Sequence, residues 1–419
     1  MPEVRMTGTE AGAGIKTGAG AEAKIESGTE SAGARHWVGA WSIAHTSLFR
    51  LPVGFDNQTF RTVVQLNLPG SALRVRVSNR YGREAVQIGA AAVSYAGADG
   101  ILAGDTVPLL FDGVPWIRLA PGEERFSDAA SLETFPGCRI AVDLHYPGRG
   151  RFISGNVFPA WHKASETGLH VGERHFPTRD GFRVRRLQNR ILPATIGILA
   201  GVDVHAPTSC RAVVAFGDSI TALNQWTSVL AERLLVEMPG VLSLLNQGIS
   251  GNRLLHDADS GFGKGIYGPA GILRFERDAL AQSGVATVIS LIGVNDLLQP
   301  GLTAPREQEQ DAESLVNGMR GLIHLAHEKG VRILGGTIMP FGGYLLALTP
   351  EREAVRQAVN GWIRQGGEFD GVIDFDLAVR NPVSPERLTD HWHVGDRLHP
   401  NAQGGRVMAS VIHPRFLVE

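Results

Sequence analysis

Between residues 36 and 205 the hydrophobic and polar positions follow the two-residue period of β-strands. Residues 73–78 (LRVRVS) alternate strictly between apolar and polar, and a turn at 79–82 separates them from an apolar run over 85–96. Three similar runs cover residues 60–68, 138–145 and 191–204. Several short strands separated by Gly, Pro and Asn predict a β-sandwich or jelly-roll domain over residues 36–205.

From residue 206 to residue 419 short apolar runs alternate with helical periodicity. The predicted strands are 212–216, 241–245, 285–292, 331–336 and 372–375. The predicted helices follow the apolar positions Trp226, Leu230 and Leu234 and then cover 307–329, 350–366 and 401–411. Strands that alternate with helices favour a parallel sheet with helices on both faces, so this part is predicted to be an α/β domain.

Composition adds limits to this two-domain organisation. The 419 residues and 43% hydrophobic content suffice for two cores, and a net charge of −2 gives no basis for a nucleic-acid partner. No apolar stretch is long enough for a transmembrane segment, and the oligomeric state is not predicted. Residues 1–35 contain 14 Gly or Ala and no aromatic residue, so they are predicted to be disordered, with no recognisable secretory signal.

Polar residues follow the predicted strands at the points where those strands end. Gly217-Asp218-Ser219 comes directly after the strand 212–216, where a serine at a strand-to-helix turn could act as a nucleophile. A helix cap is the alternative for this motif. Two further motifs, 246–252 and 293–296, could supply oxyanion donors through the backbone N–H of Gly251 and the side-chain amide of Asn295, although each alone also resembles a turn.

A carboxylate and an imidazole lie three residues apart near the C-terminus, in Asp396-Arg-Leu-His399-Pro400. This spacing fits the base half of a serine hydrolase, in which the carboxylate fixes the tautomer of the imidazole. A helix start is the alternative, because Asp caps helices and Pro opens their first turn. We expect His399 to lie within hydrogen-bond reach of Ser219 Oγ, with Asp396 on the far side of the ring.

Taken in this order, the four motifs resemble those of the SGNH or GDSL family of esterases and lipases. The resemblance covers residue 211 onward and implies a flavodoxin-like, three-layer catalytic domain. It implies that Ser219 is the nucleophile and one oxyanion donor, with Gly251 and Asn295 as the other two. It further implies that His399 is the general base and acid, oriented by Asp396, and that neither cofactor nor metal takes part.

Residues 267–278 and 360–362 are similar to a bacterial branch of this family that carries an extra N-terminal β-rich domain. Members of that branch are often exported, whereas the absence of a signal makes a cytoplasmic location the default expectation. The segment after the nucleophile, residues 220–226, is shorter than in the branch and lacks its glycine. The resemblance therefore does not predict the shape of the acyl pocket at this point.

Further polar residues could contact a substrate. Asn252, His256 and His393 are candidates for substrate binding, although the last two are as readily explained as ordinary loop or surface residues. The Asp and His residues between 390 and 399 match no closed zinc pattern. Trp161-His162 could mark where the β-rich domain meets the active site. Cys138 and Cys210 are predicted to be buried thiols, with one inter-domain disulfide as the alternative.

These residues predict a serine esterase that hydrolyses short-chain acyl esters or acetylated carbohydrates through an acyl-serine intermediate. The expected substrate is a small-molecule or carbohydrate ester. Two alternatives use the same site: an acyltransferase, or a sugar O-deacetylase. A third alternative is a glycan-binding module with a relic hydrolase domain, against which the intact set of catalytic positions argues.

Overall fold

The computed structural model describes residues 34–50, 52–156, 161–178, 197–261 and 263–418. The segment 1–35 that we predicted to be disordered lies outside these ranges apart from its last two residues. Arg35 already belongs to the first strand. No helix in the described ranges has the length and apolar content needed to cross a membrane.

Antiparallel sheets make up the N-terminal part of the described chain. Its strands are β1 (Arg35–Ser42), β2 (Thr46–Ser47), β3 (Val53–Gln65), β4 (Leu73–Ser78), β5 (Val86–Ile88), β6 (Ala90–Tyr95), β7 (Val107–Pro108), β8 (Ile117–Leu119), β9 (Glu124–Phe126), β10 (Arg139–Phe152), β11 (Ser154–Gly155), β12 (Trp161–Thr167) and β13 (Leu199–Pro207). One sheet has the order β1-β13-β4-β9 and another has the order β12-β3-β10-β6-β7, while β2 pairs with β11 and β5 with β8. The prediction of a β-rich N-terminal region is confirmed.

The alternation in β4 explains how this region forms its core. Leu73, Val75 and Val77 are fully buried, and Leu73 and Val75 lie opposite Val204 and Val202 of β13. Because neighbouring side chains of a strand point to opposite faces, the arginines between them point away from this core. The apolar run 85–96, predicted as one stretch, divides into β5 and β6, which pair with β8 and β10 respectively.

A five-stranded parallel sheet of order β15-β14-β16-β17-β18 forms the C-terminal part. Its elements are β14 (Arg211–Gly217), α1 (Ser219–Ala222), α2 (Gln225–Glu237), β15 (Leu242–Gly248), α3 (Gly271–Phe275), a π-helical turn (Glu276–Leu280), β16 (Val285–Leu291), α4 (Val294–Leu298), a 3-10 turn (Arg306–Gln308), α5 (Ala312–Glu328), β17 (Arg332–Gly336), α6 (Pro350–Gln365), β18 (Gly371–Ile373), α7 (Phe375–Val379), α8 (Ala402–Ser410) and a 3-10 turn (Pro414–Leu417). The predicted α/β fold with a parallel sheet is confirmed.

For two of the predicted elements whose bounds differ in the structure, the difference comes from an aspartate that caps a helix. The helix predicted over 307–329 begins only at Ala312, because the Asp311 side chain accepts a hydrogen bond from Ser314 N. The strand predicted over 372–375 ends at Ile373, since Asp374 caps α7. These boundaries depend on which polar side chain captures the free backbone N–H groups.

The β-rich part packs against the edge of the parallel sheet formed by β15. Gly39 N in β1 donates to Ser283 O, and Gln247 Nε2 at the end of β15 donates to Ser42 Oγ over 2.6 Å. Buried apolar side chains from both parts form one continuous core. Cys138 and Cys210 are free, buried thiols, so the alternative of a disulfide between them is wrong.

Candidate active site

The residues of the candidate site lie where three neighbouring parallel strands end. The carboxyl ends of β14, β15 and β16 lie side by side, so the segments that follow them meet at one edge of the sheet. Ser219 follows β14 and is the first residue of α1. Asp218 caps this helix by accepting a hydrogen bond from Ile220 N over 2.9 Å. The cap interpretation is thus confirmed for Asp218, and the candidate nucleophile is the next residue.

The serine, the histidine and the aspartate form a continuous hydrogen-bonded row. His399 Nε2 lies 2.8 Å from Ser219 Oγ, and His399 Nδ1 lies 2.7 Å from Asp396 Oδ2. Ser219 is 7% exposed, enough to be reached from the cleft described below. This is the geometry expected from the sequence, with the carboxylate on the far side of the ring from the hydroxyl.

Asp396 is held in its ionised form. Burial alone would raise its pKa, but the hydrogen bond to His399, the charge of that ring and two backbone N–H groups lower it to well below the ordinary value. Those N–H groups belong to Leu398 and His399, and both donate to Asp396 Oδ1. An ionised carboxylate beside Nδ1 favours the tautomer that leaves Nε2 able to accept the serine proton.

The two other motifs place their polar groups at the same edge. Gly251 has a φ of +76°, which favours glycine, and its carbonyl accepts a hydrogen bond from Gln299 Nε2 over 2.6 Å. Asn295 Nδ2 donates to Asn252 O over 3.1 Å. Because an amide NH₂ has two hydrogens, the second one is available for an oxyanion.

Ser219, Gly251, Asn295 and His399 line one cleft of about 660 Å³. The other residues that line it are Leu223, Gln225, Ser250, Tyr267, Leu298, Gln299, Leu302, Thr303, Tyr344, Leu345, Val394, Leu398 and Pro400. None of these described lining residues is Asp, Glu, Lys or Arg. Leu345 is 68% exposed, so the cleft has an apolar side chain at its mouth.

Two buried carboxyl groups lie close to the site and have strongly raised pKa values. Burial raises the pKa of Asp218 to about 7 and that of Asp296 to about 6. Asp296 accepts hydrogen bonds from Leu254 N and Leu255 N, so it fixes the segment that follows Gly251. These carboxyl groups shape the loops, whereas Asp396 is the carboxylate that is hydrogen-bonded to His399.

The three candidate substrate-binding residues are not among the described residues that line the cleft. Asn252 is fully buried and donates to the carbonyls of Tyr267 and Pro269. His256 contacts Gln310 Nε2, and His393 Nδ1 accepts a hydrogen bond from Gly395 N. Their contacts in the structure are therefore with the loops around the site, and their role in binding stays a prediction.

His162, from the Trp161-His162 pair, lies within the β-rich sheet, where Nδ1 is 2.7 Å from Thr62 Oγ1. Among the described residues, no group of three or more His, Cys, Asp or Glu side chains is arranged to hold a metal ion.

Arg274, which the sequence did not single out, is a fully buried residue in the last turn of α3. Its guanidinium donates to Gly217 O over 2.8 Å, to Gln247 O over 2.9 Å and to Asn252 Oδ1 over 2.8 Å. The signal for it was an arginine in an otherwise apolar helical stretch, Gly-Ile-Leu-Arg-Phe, because a buried charge must be paired and hydrogen-bonded.

A serine, a histidine and an aspartate in this geometry, at the carboxyl ends of parallel strands, define a hydrolase-type site on an α/β fold. The comparisons with known proteins agree with this class. Residues 215–407 match the model of the GDSL-like Lipase/Acylhydrolase family. This part of the chain is therefore similar to GDSL-like lipases and acylhydrolases, and the protein is a carboxylic-ester hydrolase. No curated protein matches the chain.

Solved structures similar to the chain cover about half of it. An acetylxylan esterase from Geobacillus stearothermophilus is 20% identical with a TM-score of 0.39, and the match covers 50% of this chain and 95% of that one. A lipolytic protein of the G-D-S-L family from Desulfitobacterium hafniense is 16% identical with a TM-score of 0.35, over 48% and 97% of the two chains. An alpha/beta hydrolase enzyme from the metagenome of Lake Arreo is 19% identical with a TM-score of 0.36, over 48% and 92%.

Proposed function

We propose that the protein is a serine esterase in which Ser219 is the nucleophile, His399 is the general base and acid, and Asp396 orients the histidine. The observation that carries this proposal is the hydrogen-bonded row in which Nε2 of the ring lies 2.8 Å from the hydroxyl and Nδ1 lies 2.7 Å from the carboxylate. A serine hydroxyl is a weak nucleophile until a neighbouring base removes its proton, and the row supplies that base.

The reaction then takes place in two halves. Ser219 Oγ forms a bond to the ester carbonyl carbon while its proton moves to His399 Nε2, and the carbonyl electron pair moves onto the oxygen. The resulting oxyanion accepts hydrogen bonds from Ser219 N, Gly251 N and Asn295 Nδ2. Collapse breaks the bond to the alcohol, which takes the proton from His399. Water, activated by the same histidine, then releases the acid from the acyl-serine.

The lining of the cleft supports an uncharged ester as the substrate. Since none of the described residues that line it carries a charged carboxylate, ammonium or guanidinium group, an ionic substrate would lose its hydration there without gaining a partner. Short-chain acyl esters and acetylated carbohydrates both satisfy this condition. The acyltransferase, the deacetylase and the glycan-binding module with a relic hydrolase domain stay predictions. Analysis of the products formed with an alcohol or an acetylated glycan would separate the first two.

The test is ester turnover over a series of p-nitrophenyl acyl chains by the wild type and by Ser219→Ala. We expect the substitution to lower kcat by roughly 10⁴-fold or more for every chain length, and to abolish labelling by a fluorophosphonate. Ser410→Ala is the matched control, because Ser410 is an exposed serine at the end of α8 and its hydroxyl donates to Val407 O. Turnover that survives in Ser219→Ala would show that another residue is the nucleophile.

A further inference from the structure

Arg274 contacts the backbone of two motif segments directly. Its Nη2 donates to Gly217 O, which belongs to the last residue of β14, two positions before the nucleophile. Its Nη1 donates to Gln247 O near the end of β15, and its Nε donates to the side chain of Asn252. The guanidinium also lies over the ring of Phe216, 4.0 Å from the ring centroid. One planar, fully buried group therefore fixes the ends of two neighbouring strands relative to each other.

Arg274 is linked to the third motif segment, 293–296, through Asn252. This residue accepts the hydrogen bond from Arg274 with its side-chain oxygen and accepts the one from Asn295 Nδ2 with its backbone oxygen. Gly251, the other proposed oxyanion donor, is the preceding residue in the chain. A displacement of Asn252 would therefore move both Gly251 N and Asn295 Nδ2 relative to the position of the oxyanion.

The guanidinium also contacts a carboxylate. Asp278, which is in the π-helical turn after α3, accepts a hydrogen bond from Arg274 Nη1 over 3.2 Å and is also paired with Arg277. The backbone oxygen of Asp278 accepts from Gln282 Nε2, and Gln282 Oε1 in turn accepts from Arg76 Nη2 of β4. The chain of contacts thus runs from the β-rich part to the candidate oxyanion site, and π-helical turns are frequent at functional sites.

We propose that Arg274 is a positioning residue of the esterase. By fixing Asn252 against the ends of β14 and β15, it holds in place the oxyanion donors Gly251 N and Asn295 Nδ2. The inference rests on the proposed function, because it assumes that Gly251 and Asn295 stabilise a tetrahedral oxyanion. Arg274 is not among the described residues that line the cleft, so it acts through Asn252 and not on the substrate.

A double-mutant cycle between Arg274→Lys and Asn295→Ala tests this role. A lysine keeps the charge but cannot reproduce the planar fork of hydrogen bonds. We expect Arg274→Lys to lower kcat by roughly 10- to 100-fold in the wild-type background, with KM changed less than about threefold, because a displacement of about 1 Å costs up to 10²-fold. In the Asn295→Ala background the same substitution should lower kcat by a smaller factor, because only the displacement of Gly251 N still contributes there and residues that act through one another are not additive.

Arg61→Lys is the matched control for a buried arginine. Arg61 is also fully buried and makes a bidentate pair with Asp143, but it lies in β3 of the β-rich part. We expect Arg61→Lys to lower the free energy of unfolding while leaving kcat unchanged in both backgrounds. If Arg274→Lys does not fold, Asp278→Asn weakens the anchor of the guanidinium instead, and a smaller loss of kcat with the same non-additivity is expected.

Three results would overturn the proposal: an unchanged kcat in Arg274→Lys, a loss expressed in KM alone, or the same fold-loss with and without Asn295. The fallback variant is judged by the same criteria. Failure of the proposed function looks different, because ester turnover would then survive in Ser219→Ala. If that substitution abolishes turnover and the cycle is additive, only the role of Arg274 is refuted.

Discussion

Replacing Gly251 by alanine should reduce catalysis far more than it reduces stability. The residue has a φ of +76°, where a side chain costs roughly 1–2 kcal/mol for any residue other than glycine. A Cβ at this position would also lie 2.4 Å from Cγ and Cδ1 of Tyr267. The added atom therefore causes two separate penalties, backbone strain and a collision with an aromatic ring.

The ring of Tyr267 packs closely against a second glycine as well. A Cβ at Gly263 would be only 2.1 Å from Cδ2 of the same ring, which shows how closely the backbone of Gly263 packs against it. Ordinary contact begins at 3.4 Å, so Gly251 and Tyr267 would have to separate by the difference from 2.4 Å, about 1 Å. Since Gly251 N is a proposed oxyanion donor, a shift of that size should lower kcat by roughly 10²- to 10³-fold.

The assay compares kcat, KM and urea-induced unfolding for Gly251→Ala and for Gly148→Ala. Gly148 has the same φ of +76°, but a Cβ there would meet nothing within 4 Å. Both variants should lose about 1–2 kcal/mol of unfolding free energy through backbone strain, and Gly251→Ala should lose more because of the ring. Only Gly251→Ala should lose kcat, with KM nearly unchanged. Equal kcat values in the two variants would refute the assignment of Gly251 as an oxyanion donor.

Two further predictions concern the acidic residues. Asp396→Asn should lower kcat by about 10⁴-fold, because the amide favours the wrong histidine tautomer. The pKa of Asp396 is lower in the folded state than in the unfolded state, so its contribution to stability is present above the unfolded pKa and is lost as the pH falls. Urea unfolding should therefore show Asp396→Asn destabilised at pH 7 but not at acidic pH. A loss of stability that does not depend on pH would contradict this. Asp218→Asn should behave in the opposite way. Burial raises the pKa of Asp218 to about 7, so its stabilising contribution is complete below the unfolded pKa and is lost as the pH rises towards 7. Between pH 4 and 7 the free energy of unfolding of Asp218→Asn should rise relative to that of the wild type by up to about 1.4 kcal/mol per pH unit. A difference that stays constant over this range would show that the pKa of the Asp218 carboxyl is not raised.

The part of the candidate site that sequence could predict is the part encoded in single segments. The strand 212–216 followed by Gly-Asp-Ser predicts a strand-to-helix turn, and Ser219 lies at such a turn. The rule that parallel strands end at one edge of a sheet then predicts that the motifs after these strands lie close together. These predictions need only local patterns and one topological rule.

The walls of the cleft and the support beneath it depend on distant contacts, which no local pattern contains. Tyr344 and Leu345 come from the segment between β17 and α6, and Leu298 from α4, yet all three line the cleft with Ser219. His393 illustrates the converse, because proximity in sequence to His399 does not bring it among the described lining residues. A hydrogen bond from Gly395 N to His393 Nδ1 holds the ring within its own turn.

The helix-start interpretation of Asp396–Pro400 is wrong, because the helix begins only at Ala402, after this segment. Asn401, and not Asp396, caps the last helix, by accepting hydrogen bonds from Gln403 N and Gly404 N. Asp396 instead uses one carboxylate oxygen for a tight turn, accepting from the backbone of Leu398 and His399, while Arg397 between them has a φ of +66°. The other oxygen is then placed against His399 Nδ1. A single carboxylate thus shapes the loop and orients the ring, which explains why a spacing of three residues is sufficient for both.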